Sequence, residues 1–346
     1  MLIKNKERGF FMASTVKSVK PTKQLTLTNL PSRRVVQKTY IDFDNYTVYA
    51  LQQYGVGDTK NAVLSSGSFS SLGQSEPVSM GNPMVLKNFG HGETLEKFDN
   101  PYESGNWFWI ATGANYDTPY ITKNGDKIYW AHQIGIVKYE PNGQVDYSQV
   151  RRISSVSSLT KSGKPFGKLK RTDGALAANG RLIIWSQATD NSMYISCYES
   201  KAVLKRMYEA SQLYLSGTDK IFHTSYKSNG ALVSNKEFTH HLPWNSNQGL
   251  EFSNGNMVYI TGGAYGANEA PHILKSDWAF KNYGTVSLSL SSTEQANVET
   301  EAPQLGEGSI SNPDGNTSAD YVYVTLVFHT SPDYTNCIYS VPKSAF

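Results

Sequence analysis

The sequence predicts an all-β fold, and within that class a five-bladed β-propeller. Three observations indicate it: apolar and aromatic runs recur five times, Asn-Gly turns fall in register with them, and small residues precede four of them. The 346 residues include 22 Tyr and 28 Gly, and only 18% are charged. This composition is typical of strands joined by polar turns. A β-sandwich is the alternative architecture.

The repeat consists of two strand-like runs separated by a polar loop. The first runs begin at residues 46, 107, 182, 257 and 321. The second runs cover residues 62–64, 128–130, 193–195, 273–274 and 337–341. A unit of a few strands cannot bury both faces of its own sheet, whereas a closed ring of such units can. We therefore expect five blades of about four strands each.

Turn residues follow the same period. Asn-Gly occurs at Asn124, Asn142, Asn179, Asn229 and Asn254, and Asp314-Gly315 adds a related turn. These dipeptides supply the two positive φ angles that a tight type I′ hairpin requires. Those at 179, 254 and 314 stand just before a first run, so we expect hairpins leading into the third, fourth and fifth runs.

Small residues beside a polar or acidic group mark the predicted inner strand of a blade, in segments 91–96, 171–176, 247–251 and 301–306. In a propeller, equivalent positions converge on one end of the central channel. The channel-end candidates are His91, Glu93, Glu96, Asp173, Gln248, Glu251, Glu301 and Glu307. Clustered carboxyls raise one another's pKa, and two of them can cleave a glycosidic bond. They can equally cap strand ends and bind the channel wall, and no sequence motif separates the two readings.

The first 38 residues are predicted to be a flexible basic arm, and residues 39–346 the propeller domain. The apolar block after the basic start covers only residues 9–13, which is shorter than the core of a secretory signal peptide. We therefore recognise no signal peptide, and either Met1 or Met12 serves as the start.

A second cationic segment lies between Val150 and Thr172. Seven cations and no acid occur there, and Gly163, Pro165 and Gly167 favour a loop; the cations are Arg151, Arg152, Lys161, Lys164, Lys168, Lys170 and Arg171. Such a loop attracts a polyanion in a salt-dependent manner, or is simply solvated. Aromatic residues in polar loops are candidates for gripping sugars: Tyr116, Tyr120, Trp244, Tyr265 and Tyr334.

The remaining signals are local. Residues 201–213 place apolar residues at helical spacing, which predicts a short helix. Cys197 and Cys337 fall in different blades and are expected to be buried without a disulfide. His91-Gly92-Glu93 is too common a pattern to predict a metal site, and nucleotide motifs are absent. No cofactor is expected, and a net charge of +3 gives no argument for nucleic acid.

Several of these segments resemble the helveticin J family, which comprises large, heat-labile class III bacteriocins of lactic acid bacteria. The resemblance spans roughly residues 40–341, and it is carried by residues 90–96, 104–108, 127–134, 248–260 and 321–330. It implies a ribosomally made protein that kills related bacteria at the cell envelope. It brings no established catalytic residues, and a missing signal peptide is common among proteins of this type.

The expected function is therefore a bactericidal one at the envelope of related Gram-positive bacteria. The partners would be envelope glycan or teichoic acid, with peripheral contact to anionic lipid, and wall or membrane damage would follow. The protein would be extracellular or associated with the cell surface, and a non-enzymatic role is favoured. Two alternatives stay open: a peptidoglycan hydrolase that uses channel carboxylates, and a non-lethal glycan-binding surface protein.

Overall fold

The computed structural model describes residues 16–55, 57, 59–122, 125–239, 242, 246–263, 270–281, 283–311, 316–330 and 333–346. Strands in the first half are β1 (Val16–Val19), β2 (Thr22–Thr28), β3 (Val36–Asp42), β4 (Thr47–Tyr54), β5 (Asn61–Ser68), β6 (Val78–Ser79), β7 (Gly81–Lys87), β8 (Leu95–Phe98), β9 (Trp107–Ala114), β10 (Tyr120–Ile121), β11 (Lys127–Ile128), β12 (Ala131–Lys138), β13 (Gln144–Asp146), β14 (Arg152–Ser154) and β15 (Leu169–Leu176).

The second half continues with β16 (Arg181–Ala188), β17 (Met193–Glu199), β18 (Tyr214–Ser216), β19 (Leu232–Glu237), β20 (Leu250–Phe252), β21 (Met257–Gly262), β22 (His272–Asp277), β23 (Tyr283–Leu288), β24 (Val298–Leu305), β25 (Tyr321–Thr330) and β26 (Asp333–Pro342). Two α-helices accompany them, α1 (Ser200–Glu209) and α2 (Ser292–Gln295). None of the helices in the described ranges has the length and apolarity to span a bilayer.

Five sheets form the blades of a β-propeller, as predicted. From the axis outward, blade 1 is β3-β4-β5-β7-β13, blade 2 is β8-β9-β12-β14-β18 and blade 3 is β15-β16-β17-β19. Blade 4 is β20-β21-β22-β23-β1, and blade 5 is β24-β25-β26-β2-β6. All five first runs of the sequence repeat are the second strands of blades, namely β4, β9, β16, β21 and β25. The strands β10 and β11 form a separate hairpin.

The hydrophobic core is divided into five clusters, each between two neighbouring blades. Leu51 of blade 1 packs with Phe108 of blade 2, for example, and Trp185 of blade 3 packs with Val258 of blade 4. The cluster of Leu25 and others joins blade 5 back to blade 1. Each fully buried side chain of this size contributes about 1.5–3 kcal/mol. The ring is therefore closed by the same apolar packing that joins every other pair of blades.

The N-terminal region differs from the predicted arm. Strand β2 pairs antiparallel with β26 and completes blade 5, while β1 pairs in parallel with β23 of blade 4. The arm predicted over residues 1–38 is therefore wrong for residues 16–38; residues 1–15 lie outside the described ranges. The reason is that Leu25 and Leu27 are buried in β2, and the many cations around them concealed this alternation.

The structure confirms some of the other local predictions and corrects others. The turns at Asn179 and Asn254 join β15 to β16 and β20 to β21, as expected, but neither asparagine has the positive φ of a type I′ turn; the turns at 124 and 314 lie outside the described ranges. The helix predicted at 201–213 is α1. The run 128–130 is not a third strand: β12 takes that place, and Ile128 belongs to the β10–β11 hairpin. Both cysteines are buried and free, as predicted.

Candidate functional site along the central channel

The five inner strands bring polar side chains together along the propeller axis. Close approach at the axis explains the small residues of the predicted inner segments. A Cβ added to Gly249 would lie 2.2 Å from Cβ of Ala302, and one added to Gly92 would lie 2.4 Å from Cβ of Ala111. Gly249 also has a φ of +121°, which L side chains rarely adopt. These positions therefore require glycine.

A buried lysine of blade 1 contacts the inner strands of three other blades. The Nζ of Lys38 lies 2.9 Å from Oε1 of Glu96 and 3.4 Å from Oε2 of Glu251, and it donates to the carbonyl of Pro303. Lys38 is completely buried, and both acids are nearly so. We call these three side chains the lysine cluster.

The charges of the lysine cluster are coupled. Burial lowers the pKa of Lys38, but the carboxylates of Glu96 and Glu251 outweigh it and hold that pKa above its usual value. Burial and the neighbouring Glu251 raise the pKa of Glu96 well above its ordinary range. One ammonium cannot fully offset two carboxylates in a low dielectric medium. The cluster therefore keeps its cation and readily takes up a proton on one acid.

A second group of acids lies nearer the start of the inner strands. The Oδ1 of Asp173 accepts hydrogen bonds from the backbone N–H of Glu93 at 2.7 Å and from Oγ1 of Thr94 at 3.3 Å. Burial raises the pKa of Asp173 to about 6. Burial and Asp173 raise the pKa of Glu93, and burial together with Glu299 and Glu93 raises that of Glu301. Among the described residues, Oε2 of Glu93 and Oδ2 of Asp173 have no hydrogen-bond partner.

An aromatic stack caps this acid group. The imidazole of His91 lies 4.1 Å from the ring of Trp130, and the guanidinium of Arg171 lies 4.7 Å from Trp130 and 5.1 Å from Trp185. His91 also bonds the side chain of Gln37. Burial and Arg171 lower the pKa of His91 to about 3, so His91 is neutral at physiological pH.

Two channel candidates remain, Gln248 and Glu307. Gln248 donates to Oε1 of Glu299 at 3.2 Å, and Oε2 of Glu299 lies 2.9 Å from Nε2 of His329. Glu307 follows the end of β24; although its side chain reaches solvent, partial desolvation of its carboxyl and the charge of Glu251 raise its pKa. The eight candidates thus divide among the lysine cluster, the acid group, the aromatic stack and the separate positions of Gln248 and Glu307.

Sequence reasoning missed the residues that connect these groups. Lys38 had been placed in the basic arm, although it occupies in blade 1 the position that Glu96 and Glu251 occupy in blades 2 and 4. Glu299 and Gln37 were also missed. The acids that surround Lys38 were the available signal, because a cluster of buried carboxyls requires a cation.

The cationic segment 150–172 does not form one loop. Arg171 is buried in the channel. Arg151 donates to the carbonyl of Met207 at 2.6 Å, and Arg152 donates to Gln133 at 2.9 Å. Lys170 is half-buried, and Lys161, Lys164 and Lys168 are exposed. The prediction of seven mobile cations is therefore wrong for the three arginines, while three lysines stay available to a solvent-borne anion.

Two of the predicted loop aromatics, Trp244 and Tyr265, lie outside the described ranges. Tyr116, Tyr120 and Tyr334 are exposed. Tyr116 donates its hydroxyl to Asn88 at 2.8 Å, and Tyr334 packs edge-on against His329. In the described part of the chain, no group of three or more His, Cys, Asp or Glu side chains is arranged to hold a metal ion.

The amino-acid sequence matches a known protein family. The profile of the family described as bacteriocin helveticin-J matches residues 15–340, which includes every blade. The chain belongs to the helveticin-J bacteriocin family. This confirms the resemblance found in the sequence, and it includes strand β2 within the matched region. No curated protein matches the sequence significantly.

Solved structures share the fold at low sequence identity. The tail fiber of Staphylococcus aureus phage P68 is 13% identical with a TM-score of 0.58; the match covers 94% of this chain and 53% of the tail-fiber chain. This bacteriocin-family chain thus spans about half of that fiber chain. The GH43 β-1,3-galactosidase BT0265 is 9% identical over 94% of this chain and 60% of its own, with a TM-score of 0.46. At 13% identity the likeness to the tail fiber concerns the fold alone.

Proposed function

We propose that this protein is a bactericidal agent that acts outside the producing cell, at the envelope of related Gram-positive bacteria. The observation that carries the proposal is the family match over residues 15–340, which covers the whole propeller. A propeller fold shared with a bacteriophage tail fiber is in keeping with a role at a bacterial surface. Killing would follow from wall or membrane damage after binding.

Anionic envelope polymer is one part of the proposed binding target. Lys161, Lys164 and Lys168 are exposed on the segment before inner strand β15. Exposed cations on one segment attract a polyanion such as teichoic acid, and salt screens that attraction. Replacing all three lysines with Gln should lower retention on teichoic acid-bearing walls, most strongly at low salt. The matched control is Lys201, Lys220 and Lys227 replaced together, since these lysines are also exposed and lie elsewhere in the chain.

Hydrolysis of peptidoglycan by channel carboxylates is the second candidate. Carboxyls with raised pKa do gather in the acid group, as a general acid would require. However, Glu93, Asp173 and Glu301 are only 1–2% exposed. A polysaccharide cannot reach them unless the blades separate. We therefore propose that the channel acids serve the scaffold and that the activity is not hydrolytic.

Incubation with isolated peptidoglycan and with live indicator cells separates these functions. The proposal predicts binding to walls, loss of viability and no new reducing ends or amines. The variants Glu93→Gln, Asp173→Asn and Glu301→Gln should kill as well as wild type when folded. Release of reducing ends that these variants abolish would instead establish the hydrolase. Wall binding without loss of viability would leave a non-lethal glycan-binding protein.

A further inference from the structure

We propose that a surface groove on blade 2, beside helix α1, is a subsite for a neutral sugar ring of the envelope glycan. This inference rests on the proposed envelope-binding function and specifies one ligand class for it. The groove has a volume of about 570 Å³, within the usual range of ligand sites. It is lined by Tyr102, Glu103, Arg151, Lys205, Tyr208 and Glu209.

A stack of rings forms the floor of the groove. The rings of Tyr102 and Tyr208 lie 4.3 Å apart with planes inclined by 23°, and the guanidinium of Arg151 lies 4.4 Å from the centroid of Tyr208. Tyr208 contacts both groups and is half-buried, whereas Tyr102 has no other ring contact among the described residues. Tyr102 is 46% exposed, so its outer face is open to a ligand.

Hydrogen bonds hold this floor in place before any ligand arrives. The hydroxyl of Tyr208 donates to Oε1 of Glu103 at 3.0 Å and accepts from Nδ2 of Asn100 at 2.8 Å. The Oδ1 of Asn100 in turn accepts from the backbone N–H of Tyr102 at 3.0 Å. Asn100 thereby forms hydrogen bonds with both tyrosines. A rigid aromatic surface binds with little loss of conformational entropy.

The polar rim selects a neutral partner. The groove holds two carboxylates and two cations, so its formal charge cancels. Lys205 and Glu209 lie 3.8 Å apart and are both more than half exposed. They can donate to and accept from hydroxyl groups at the edge of a ring lying on Tyr102. A pyranose offers this combination, because its C–H face packs on an aromatic ring and its hydroxyls need both donors and acceptors.

The groove is separate from the cationic surface described above. Residues 99–106 follow inner strand β8, whereas Lys161, Lys164 and Lys168 precede inner strand β15. Inner strands of a propeller run in the same direction, so the two surfaces lie on opposite faces of the disc. A phosphate polymer is expected on the lysine face and an uncharged sugar in the groove.

The test measures binding of soluble peptidoglycan glycan strands, freed of their peptide stems and with the released lactyl carboxyls converted to amides so that every ring is uncharged, by isothermal titration calorimetry. Wild type is compared with Tyr102→Ala, with Tyr102→Phe, which keeps the ring, and with Tyr226→Ala. Tyr226 is 37% exposed and contacts only the side chain of Lys227 among the ring interactions of the described residues. Circular dichroism confirms folding of each variant, and binding to whole walls is measured in parallel.

Support for the subsite is a loss of about tenfold or more in affinity for Tyr102→Ala, with Tyr102→Phe and Tyr226→Ala close to wild type. Equal binding by folded Tyr102→Ala would overturn it. So would wild type that binds whole walls but not the glycan strands, a result that leaves the proposed function intact. Wild type that binds neither walls nor strands would overturn the proposed function and the subsite together.

Discussion

Lys38 is predicted to be the most sensitive position in the channel. The substitution Lys38→Met keeps the length of the side chain and removes the ammonium that Glu96 and Glu251 share. Removing one partner of a buried ion pair costs about 3–5 kcal/mol, because a charge is left without compensation. Domains of this kind have a total stability of only about 5–15 kcal/mol. The variant should therefore lose a large part of its resistance to urea.

The stability lost in Lys38→Met should depend on pH. The folded-state pKa of Lys38 is raised, so its stabilising contribution is present throughout the neutral range and disappears only as the pH rises through that pKa. In the variant, Glu96 can take up a proton at low pH, because its pKa is already raised. The substitution should therefore lower the free energy of unfolding more at pH 8 than at pH 5.

Urea unfolding followed by tryptophan fluorescence measures this effect. The control is the triple variant Lys38→Met, Glu96→Gln, Glu251→Gln, which removes the charges together and should recover much of the loss. A loss below about 1 kcal/mol at pH 8, or an equal loss at both pH values, would refute the reasoning.

Three further predictions concern the channel. Burial raises the pKa of Asp173 to about 6, so the folded state holds that proton more tightly than the unfolded state, and the contribution of Asp173 to stability falls as the pH rises from about 4 to 6; Asp173→Asn should remove that contribution in a thermal unfolding series, while the slope from Glu93, Glu96 and Glu301 remains. The pKa of His91 is lowered to about 3, so the contribution of His91 to stability falls as the pH drops from about 6.5 towards 3, and His91→Gln should remove that contribution in the same series. Gly249→Ala should lower the melting temperature by several degrees because its Cβ would overlap Ala302, whereas Gly255→Ala, whose nearest contact is 3.7 Å, should change it little; equal melting temperatures would contradict the packing argument.

The ring architecture could be predicted because its signals are local. The second strand of each blade is buried between two neighbours, so it appears as a run of apolar residues such as 107–110 and 321–324. Inner strands combine small residues with polar ones because they crowd the axis. Both patterns repeat once per blade, and repetition distinguishes them from chance.

The contacts that cross the ring could not be predicted in the same way. Glu251 lies 213 residues from Lys38 in the sequence, and no periodicity relates a lysine to an acid three blades away. Arg171 resembled its cationic neighbours, but two tryptophans from different blades enclose it. The Tyr102–Tyr208 stack likewise joins a loop of blade 2 to helix α1. Such pairings depend on how the closed ring aligns its blades, which single-residue patterns do not encode.

Killing of live cells tests the central claim most directly. Purified protein is added to a panel of lactic acid bacteria and to unrelated Gram-negative cells, with the heat-denatured protein as control, and surviving colonies are counted. The account predicts that the folded protein lowers the colony count of at least one related Gram-positive strain while the denatured protein does not. Unchanged counts on every strain to which the folded protein demonstrably binds would contradict a bactericidal function.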